Sequence, residues 1–373
     1  MAFLRFVGFF LVVVIVLLPR VFDLGAFLTA DEKRWAANTR NFTDALAHDE
    51  WNNLLQLSHP GITTQWLGAP TIFSDSWTVK KLPLVFGQVI LVLLIGYVWF
   101  RLWGKWPAVL FVLLLGLNPV LVAHTRIYAM DSLLALFTIL AFGLLLLWQK
   151  TRARRFLIYS GIAAALAVLS KLPGVLLVPF AWSVCLWSGW RHRESLRVVG
   201  SALLWWTVAF LLALPMVLPS LVTHTIPDLQ NILAYFNSDD YRALHPGGQW
   251  YYLFTLLLSS TPLHVAALLC LPFAWKRMRG ASQVRPAHVG MVILFCLLFI
   301  LMMSAGAKKG DRYILPVFLL LDAIVVGVVT WLAFTSFWKI VRAIIALVVT
   351  GVLWQGILLA RLHPYALAYV NPL

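Results

Sequence analysis

The sequence predicts an all-α polytopic membrane protein, and three observations support that prediction. The chain of 373 residues is 62% hydrophobic and only 12% charged, whereas soluble globular domains are about 45–50% apolar and about 25% charged. Its apolar residues are gathered into runs of roughly 20, the length that crosses a bilayer as a helix. The runs do not alternate between polar and apolar residues, so they are not strands of a membrane barrel.

We predict about eleven transmembrane helices in a single domain over residues 1–373. The first run contains Arg5 and ends at Pro19-Arg20 without a small-residue cleavage site, which indicates an uncleaved span rather than a signal peptide. Lys171-Leu172-Pro173 divides the fifth run from the sixth, so either run could be half of a broken helix. The predicted spans cover about residues 3–22, 82–100, 106–123, 132–148, 156–170, 173–190, 198–219, 251–275, 288–304, 314–333 and 340–359.

Lysine and arginine are concentrated in alternate loops, which sets the predicted orientation. With a cytoplasmic amino terminus, the cytoplasmic loops hold more than half of the basic residues and, of the 14 acidic residues, only Glu194. The carboxyl terminus and two large loops, about 23–81 and 220–250, then lie outside a plasma membrane, for which we favour a bacterial inner membrane. The cytoplasmic basic residues, which we interpret as anchors among membrane lipids, include Lys150, Arg152, Arg154, Arg155, Arg191, Arg193 and Arg197.

Several function classes are excluded by this pattern. The net charge of +15 is spread over short loops, so it is a signal of topology and does not indicate a nucleic-acid partner. The sequence has neither GxxxxGK[ST] nor a GxGxxG that follows a strand. Chemistry on the outer face cannot draw on cytosolic nucleotides, so it needs an activated donor that is already in the lipid. The three cysteines all fall in spans and indicate no disulfide.

The first outside loop carries the most information. It begins with the stretch LTADEKRW, in which Asp31 and Glu32 stand at the mouth of the first span. Apolar residues between 33 and 57 recur at helical spacing with an interruption near His48, which predicts one or two amphipathic helices in the membrane interface. His59 follows in a Ser-His-Pro-Gly turn. Such a loop could close an active site against water, or it could be a structural cap.

The acidic pair suggests a catalytic role beside a phosphate leaving group. An acceptor hydroxyl is a poor nucleophile, and a carboxylate within hydrogen-bond reach can take its proton as it attacks. A phosphate leaves without a catalytic acid, so one carboxylate suffices; the other would orient a substrate, a neighbouring helix or Arg126. The competing interpretation is structural, because acids in the first turn of a helix satisfy its unpaired amides and its dipole.

Basic residues at the outer ends of spans are disfavoured by the positive-inside rule, yet several occur here at one predicted depth. Together they would bind a lipid phosphate and stabilise the charge that develops as it leaves. Singly, each could be an interfacial anchor whose stem reaches the headgroups. The candidates for donor-phosphate binding are Arg126, Lys171, Lys308, Lys309 and Arg312, with Asp131 close to Arg126 in the same loop.

Other polar residues give weaker signals. His224 and His245 in the second large loop could hold a divalent metal ion with an acid, but their spacing matches no known metal motif, and we favour the interpretation that they are solvated loop residues. Metal use is therefore left open. Asp322 lies within a predicted span, where a carboxylate usually marks a functional position, and we expect it to pair with a hydroxyl that faces the bundle.

The ordered motifs resemble a known family. An acidic pair after the first span, a His-Pro turn, HTRIYAMDSLLALF, LSKLPGVLLVP and KKGDRYILPVF are similar, over essentially the whole chain, to glycosyltransferases of the C-type fold (GT-C). Their nearest branch contains the protein O-mannosyltransferases and the aminoarabinose lipid A transferases. The resemblance implies a polyprenyl-phosphate-sugar donor, an outer-face acceptor and inversion at the anomeric carbon. It matches Asp31 to the presumed base and Glu32 to its partner.

The same resemblance implies hexosyl or pentosyl transfer to a protein, lipid or glycan. His59 falls where relatives carry an acid or histidine before Pro-Pro, but Pro-Gly follows it here, which puts a metal role in doubt. Similar proteins often continue into a soluble domain or further spans beyond the point where this sequence stops, so a carboxyl-terminal domain could be missing. The alternative function is a transporter or flippase for a lipid-linked substrate, and a non-catalytic assembly subunit is a third class.

Overall fold

The computed structural model describes residues 2–54, 60–223, 230, 248–277, 284–306, 309–333 and 351–362. Every regular element within these ranges is a helix, so the predicted all-α class is confirmed. The α-helices are α1 Ala2–Val21, α2 Ala30–Ala47, α3 Ile62–Gly68, α4 Trp77–Trp103, α5 Lys105–Leu117, α6 Pro119–Thr125, α7 Asp131–Thr151, α8 Arg154–Ser170, α9 Leu177–Arg191, α10 Leu196–Val217, α11 Ser220–Thr223, α12 Tyr251–Ser259, α13 Pro262–Arg277, α14 Pro286–Ala305, α15 Leu315–Ala333 and α16 Gly351–Leu362. Short 3-10 helices occur at Trp51–Asn53, Ala69–Thr71, Leu172–Leu176 and Asp311–Ile314.

Six helical segments in the described ranges are long and apolar enough to cross a membrane, and two bent pairs bring the number to eight. The predicted count of eleven is therefore not confirmed. Two further apolar helical stretches, Val7–Val21 of α1 and Gly351–Leu362 of α16, are shorter. The last predicted span, about 340–359, lies partly outside the described residues. The long segments are Trp77–Trp103, Asp131–Thr151, Leu172–Arg191, Leu196–Val217, Pro286–Ala305 and Asp311–Leu332.

Two predicted spans are broken rather than continuous. The run 106–123 is divided into α5 and α6 with a bend of 58°, and the run 251–275 is divided into α12 and α13 with a bend of 107°. In both places a proline is the first residue of the second half, Pro119 and Pro262. A proline lacks an amide donor and disfavours helical geometry in the residue before it, so each helix ends there and a new one starts.

The chain divides into two compact units, each built from several stretches of sequence. The first comprises Met1–Phe27, Val92–Arg126 and Gly248–Leu373. In it α1 packs on α5, and α15 packs on α5, α13 and α14. The buried guanidinium of Arg20 joins α1 to α5 by donating to the carbonyl oxygens of Val16 at 2.5 Å and Gly116 at 2.8 Å.

The second unit comprises Leu28–Leu91 and Ile127–Gly247. Its centre is α8, which packs against both α7 and α10. Ser160 joins these helices, because its hydroxyl donates to the carbonyl of Ala141 at 2.8 Å and accepts from the indole of Trp206 at 3.2 Å.

The helix α2 is amphipathic, as the sequence predicts. Its buried face includes Trp35, Phe42 and Ala45, whereas Lys33, Arg34 and Arg40 are exposed. The helix ends near His48, where Asp49 adopts a left-handed conformation at φ 57°. The apolar cluster beneath it contains Phe42, Ala45, Leu54, Ile62, Leu169 and Leu218.

Candidate active site

The first turn of α2 contains both predicted acids. Thr29 precedes the helix in an extended conformation, and its amide donates to Oε2 of Glu32 at 2.7 Å. This bond satisfies an amide at the helix start that would otherwise have no partner. The residue sequence Thr-Ala-Asp-Glu therefore specifies where α2 begins and holds its first turn in place.

Glu32 is fully buried and structurally engaged. Its Oε1 lies 2.7 Å from the ammonium of Lys81, and both side chains are almost inaccessible to water. The same oxygen accepts the amide of Tyr128 at 2.8 Å. A buried carboxylate is tolerated only with such compensation. Glu32 therefore ties α2 to α4 and to the loop before α7, contacts of the kind that the structural interpretation of the acidic pair expects; the catalytic role predicted for Glu32 stays a prediction.

Asp31 precedes Glu32 and is half-buried. Successive helical residues are rotated by about 100°, so its side chain does not share the direction of the Glu32 carboxylate. Because Glu32 fixes the first turn at three points, Asp31 is carried on a rigid backbone. Such support favours a catalytic group, whose geometry must be held within narrow limits.

Lys171 and Asp131 are brought together. The Lys171 ammonium lies 2.5 Å from Oδ1 of Asp131, and the two side chains are 7% and 3% exposed. Lys171 sits in the extended break after α8, and Asp131 is the first residue of α7. The pair balances the lysine charge, so a second anion at Lys171 would compete with Asp131.

Arg126 is buried in the first unit, just after α6. Its Nη1 donates to the carbonyl oxygens of Pro19 at 2.8 Å and Phe22 at 2.7 Å. Burial lowers the pKa of its guanidinium and the charge of Asp23 opposes that effect, but an arginine stays protonated. It lies in the wall of a cavity of about 480 Å³ that is otherwise lined by Leu18, Pro19, Phe22, Leu117, Val122, Gly356, Leu359 and Ala360.

Lys309 lies just beyond α14. Its ammonium donates to the carbonyl oxygens of Met303 at 3.2 Å, Ser304 at 2.5 Å and Gly306 at 2.6 Å. Burial lowers the pKa of this ammonium. Three carbonyls at the end of a helix stabilise a cation, so Lys309 caps α14. Arg312 is half-buried, with its Cζ 5.8 Å from the Tyr313 ring centre.

Four predicted site residues lie outside the part of the chain that the structure describes: His59, Lys308, His224 and His245. Their roles stay predictions. Among the described residues no group of three or more His, Cys, Asp or Glu side chains is arranged to hold a metal ion.

Sequence reasoning missed two polar partners and misjudged a third. The sequence analysis did not single out Lys81. Its signal was its place next to a long apolar run, because a lysine that is buried there needs an acidic partner. Asp311 accepts the Tyr251 hydroxyl, a contact with no sequence signal. Asp322 was expected to pair with a hydroxyl, but it accepts the Asn118 amide at 2.9 Å and lies 2.8 Å from Nε2 of His264.

The comparisons with known proteins agree with this architecture. Residues 46–225 match the dolichyl-phosphate-mannose-protein mannosyltransferase family. ArnT from Cupriavidus metallidurans in the apo state is 17% identical, with a TM-score of 0.64 over 99% of this chain and 74% of that chain. The same enzyme bound to undecaprenyl phosphate is 19% identical, with a TM-score of 0.60 over 98% of this chain and 73% of that one. A comparison with curated proteins gives no match.

A third similar structure is more distant. The archaeal oligosaccharyltransferase AglB from Archaeoglobus fulgidus, in complex with an inhibitory peptide and a dolichol-phosphate, is 13% identical with a TM-score of 0.54. This chain covers 54% of its length. The predicted resemblance in fold is thus confirmed: the chain has the GT-C fold of these structures, and its long apolar helices are those of a multi-pass membrane protein.

Proposed function

We propose that this protein transfers a sugar from a polyprenyl-phosphate-sugar donor to an acceptor hydroxyl on the extracytoplasmic face, with Asp31 as general base. The observation that supports the proposal most directly is the position of Asp31, half-buried in a first turn that Glu32, Lys81 and Tyr128 hold rigid. The match of residues 46–225 to a family of lipid-phosphate-sugar enzymes supports the choice of donor.

The proposed reaction balances without an external acid. The acceptor oxygen attacks the anomeric carbon from the face opposite the phosphate, and its proton passes to the Asp31 carboxylate. A new C–O glycosidic bond forms while the bond between the anomeric carbon and the phosphate oxygen breaks. The electron pair leaves with the polyprenyl phosphate, and attack from the opposite face inverts the anomeric carbon.

The cavity beside Arg126 is our candidate for the donor lipid. Its walls are apolar apart from this guanidinium, a combination that suits an isoprenoid chain ending in a phosphate. The apolar part would hold the first isoprene units, and Arg126 would attract the phosphate. The solved relative that holds undecaprenyl phosphate supports this class of ligand. We place the protein in the plasma membrane, with its amino terminus cytoplasmic and its carboxyl terminus outside.

A transporter or flippase is distinguished from a transferase by its product. Membranes that contain the intact chain are supplied with polyprenyl-phosphate sugars labelled in a hexose or pentose, together with protein, lipid or glycan acceptors. A transferase yields label that is covalently linked to an acceptor and releases polyprenyl phosphate. Movement of intact donor across the bilayer, with no linked product from any donor, would reject the proposal.

A further inference from the structure

A basic groove lies at the ends of α7, α8 and α10 within the second unit. It has a volume of about 340 Å³. Three guanidinium groups face a single carboxylate there, so the groove carries an excess of positive charge. Its charged and aromatic lining consists of Arg152, Arg154, Arg197, Glu194, Trp148 and Trp205.

Arg152 is held in an unusual position in this groove. It ends α7 in the left-handed conformation at φ 61°, which glycine adopts far more easily. Its guanidinium lies 5.2 Å from the Trp148 ring centre and 3.4 Å from Oε1 of Glu194. The Nη1 atom is thus ion-paired with Glu194, and the Arg152 side chain as a whole is 32% exposed. Neither Nη1 nor Nη2 makes a hydrogen bond within the described ranges, so the guanidinium keeps donors that an anionic ligand could use.

The starts of two helices add further donors to the same groove. Arg154 and Arg197 lie in the first turns of α8 and α10, and neither helix has a side-chain hydrogen bond at its amino-terminal cap. The unpaired amides of these turns carry partial positive charge. The Arg154 Cζ lies 4.8 Å from the Trp205 ring centre, so the aromatic side chain supports the guanidinium.

Exposed apolar side chains that are next in sequence to lining residues indicate where the rest of the ligand would lie. Leu196, which precedes Arg197, is 89% exposed, and Leu204, which precedes Trp205, is 60% exposed. In a membrane protein such side chains contact lipid tails. We propose that the groove binds the phosphate of an anionic phospholipid, with its acyl chains along these side chains. The sequence places these loops at the cytoplasmic surface, where basic pockets between helices bind anionic headgroups. This site is separate from the proposed transfer reaction.

Two arginines in left-handed conformations provide a matched test. Arg152→Gly removes a guanidinium from the groove. Arg193, whose backbone φ is 51°, does not line the groove, so Arg193→Gly removes one positive charge from elsewhere. Glycine relieves the backbone in both variants, so neither should unfold. The intact protein is titrated with phosphatidylglycerol or phosphatidylcholine in mild detergent, and bound lipid is counted by native mass spectrometry. We expect the wild type and Arg193→Gly to prefer phosphatidylglycerol, and Arg152→Gly to bind it about fivefold more weakly.

A variant that is expected to strengthen lipid binding shows whether weaker binding by Arg152→Gly could be due to misfolding. Glu194→Gln removes the only carboxylate of the groove and should strengthen phosphatidylglycerol binding, which a misfolded protein would not do. Arg154→Gln should weaken it. Equal binding by the wild type, Arg152→Gly and Glu194→Gln would overturn the proposal. Displacement of phosphatidylglycerol by millimolar inorganic pyrophosphate, with tight pyrophosphate binding in lipid-free detergent, would overturn the lipid assignment in favour of a soluble phosphate.

Discussion

The ion pair of Glu32 and Lys81 lies where water does not reach it. Removing two charges from water is costly, and their attraction compensates only if the remaining hydrogen-bonding capacity is also used. Here the carboxylate also accepts the amides of Thr29 and Tyr128, so both of its oxygens are engaged. Breaking the pair should therefore leave an uncompensated charge at the start of α2.

Lys81→Met should therefore destabilise the protein by about 3–5 kcal/mol. Thermal unfolding of the purified protein in detergent measures the effect. Lys80→Met is the matched control, since Lys80 is only half-buried and rests against the Trp77 ring with its Nζ 4.9 Å from the ring centre. Its loss should cost about 1 kcal/mol or less. Similar stability of the two variants would contradict the assigned role of Lys81.

At the scale of elements, Gly61 joins α3 to the end of α8. It has φ 57°, and its amide donates to the carbonyl of Ser170 at 3.1 Å. A Cβ on Gly61 would collide with the Trp35 ring. The position thus needs glycine for its conformation and for the close approach of α2.

Replacing Gly61 by alanine should destabilise the protein by about 2–4 kcal/mol, because backbone strain and the collision add. The same change at Gly200, in the interior of α10 with no atom near its Cβ position, should be neutral or stabilise the protein by up to about 1 kcal/mol. Melting temperatures of both variants test the prediction, which fails if Gly61→Ala behaves like Gly200→Ala.

Asp322 connects the two broken helices of the first unit. Asn118 caps α6 by accepting the amides of Val120 and Leu121, and its own amide donates to Asp322. His264, near the start of α13, accepts the Thr261 amide at Nδ1, so it donates to Asp322 from Nε2. The Asp322 carboxylate therefore holds the starts of α6 and α13, the second halves of the two broken helices.

Asn118→Ala should cost about 2–4 kcal/mol, since it removes a helix cap and leaves the buried Asp322 one donor short. Asn53→Ala is the control, because the exposed Asn53 also donates to a carboxylate, that of Glu50 at 2.8 Å. We expect that change to stay within about 0.5 kcal/mol. Unfolding curves that shift equally for the two variants would show that the Asp322 network contributes little.

The sequence predicted most elements because hydropathy and helical spacing are local signals. The amphipathic α2, its end near His48 and the break at Lys171 all follow from neighbouring residues. The breaks before Pro119 and Pro262 were missed although Asn-Pro and Thr-Pro mark them. Each of these prolines lies within an apolar run long enough to cross the membrane, so the sequence analysis predicted one continuous span at each place.

At the scale of the whole molecule, the sequence did not predict which charged residues pair with each other when they are distant along the chain. Glu32 and Lys81 lie far apart along the chain, and so do Asp322 and His264. No local sequence pattern links the members of either pair. Lys171 illustrates the consequence: its charge predicted a phosphate contact, whereas Asp131 already balances it. The fold class and the position of the acidic pair in the first turn of α2 could be predicted from the sequence. The role of each charged residue depends on its buried partner.

Asp31 is the residue that we propose removes the acceptor proton during sugar transfer. The most direct test compares label transfer from polyprenyl-phosphate sugars by the wild type, Asp31→Asn and Asp44→Asn at equal amounts of folded protein. Asp44 is an exposed acid on the same helix, so its variant controls for the loss of one charge. We predict that Asp31→Asn lowers the transfer rate by about a hundredfold or more, while Asp44→Asn transfers like the wild type. Transfer by Asp31→Asn at the wild-type rate would contradict the claim.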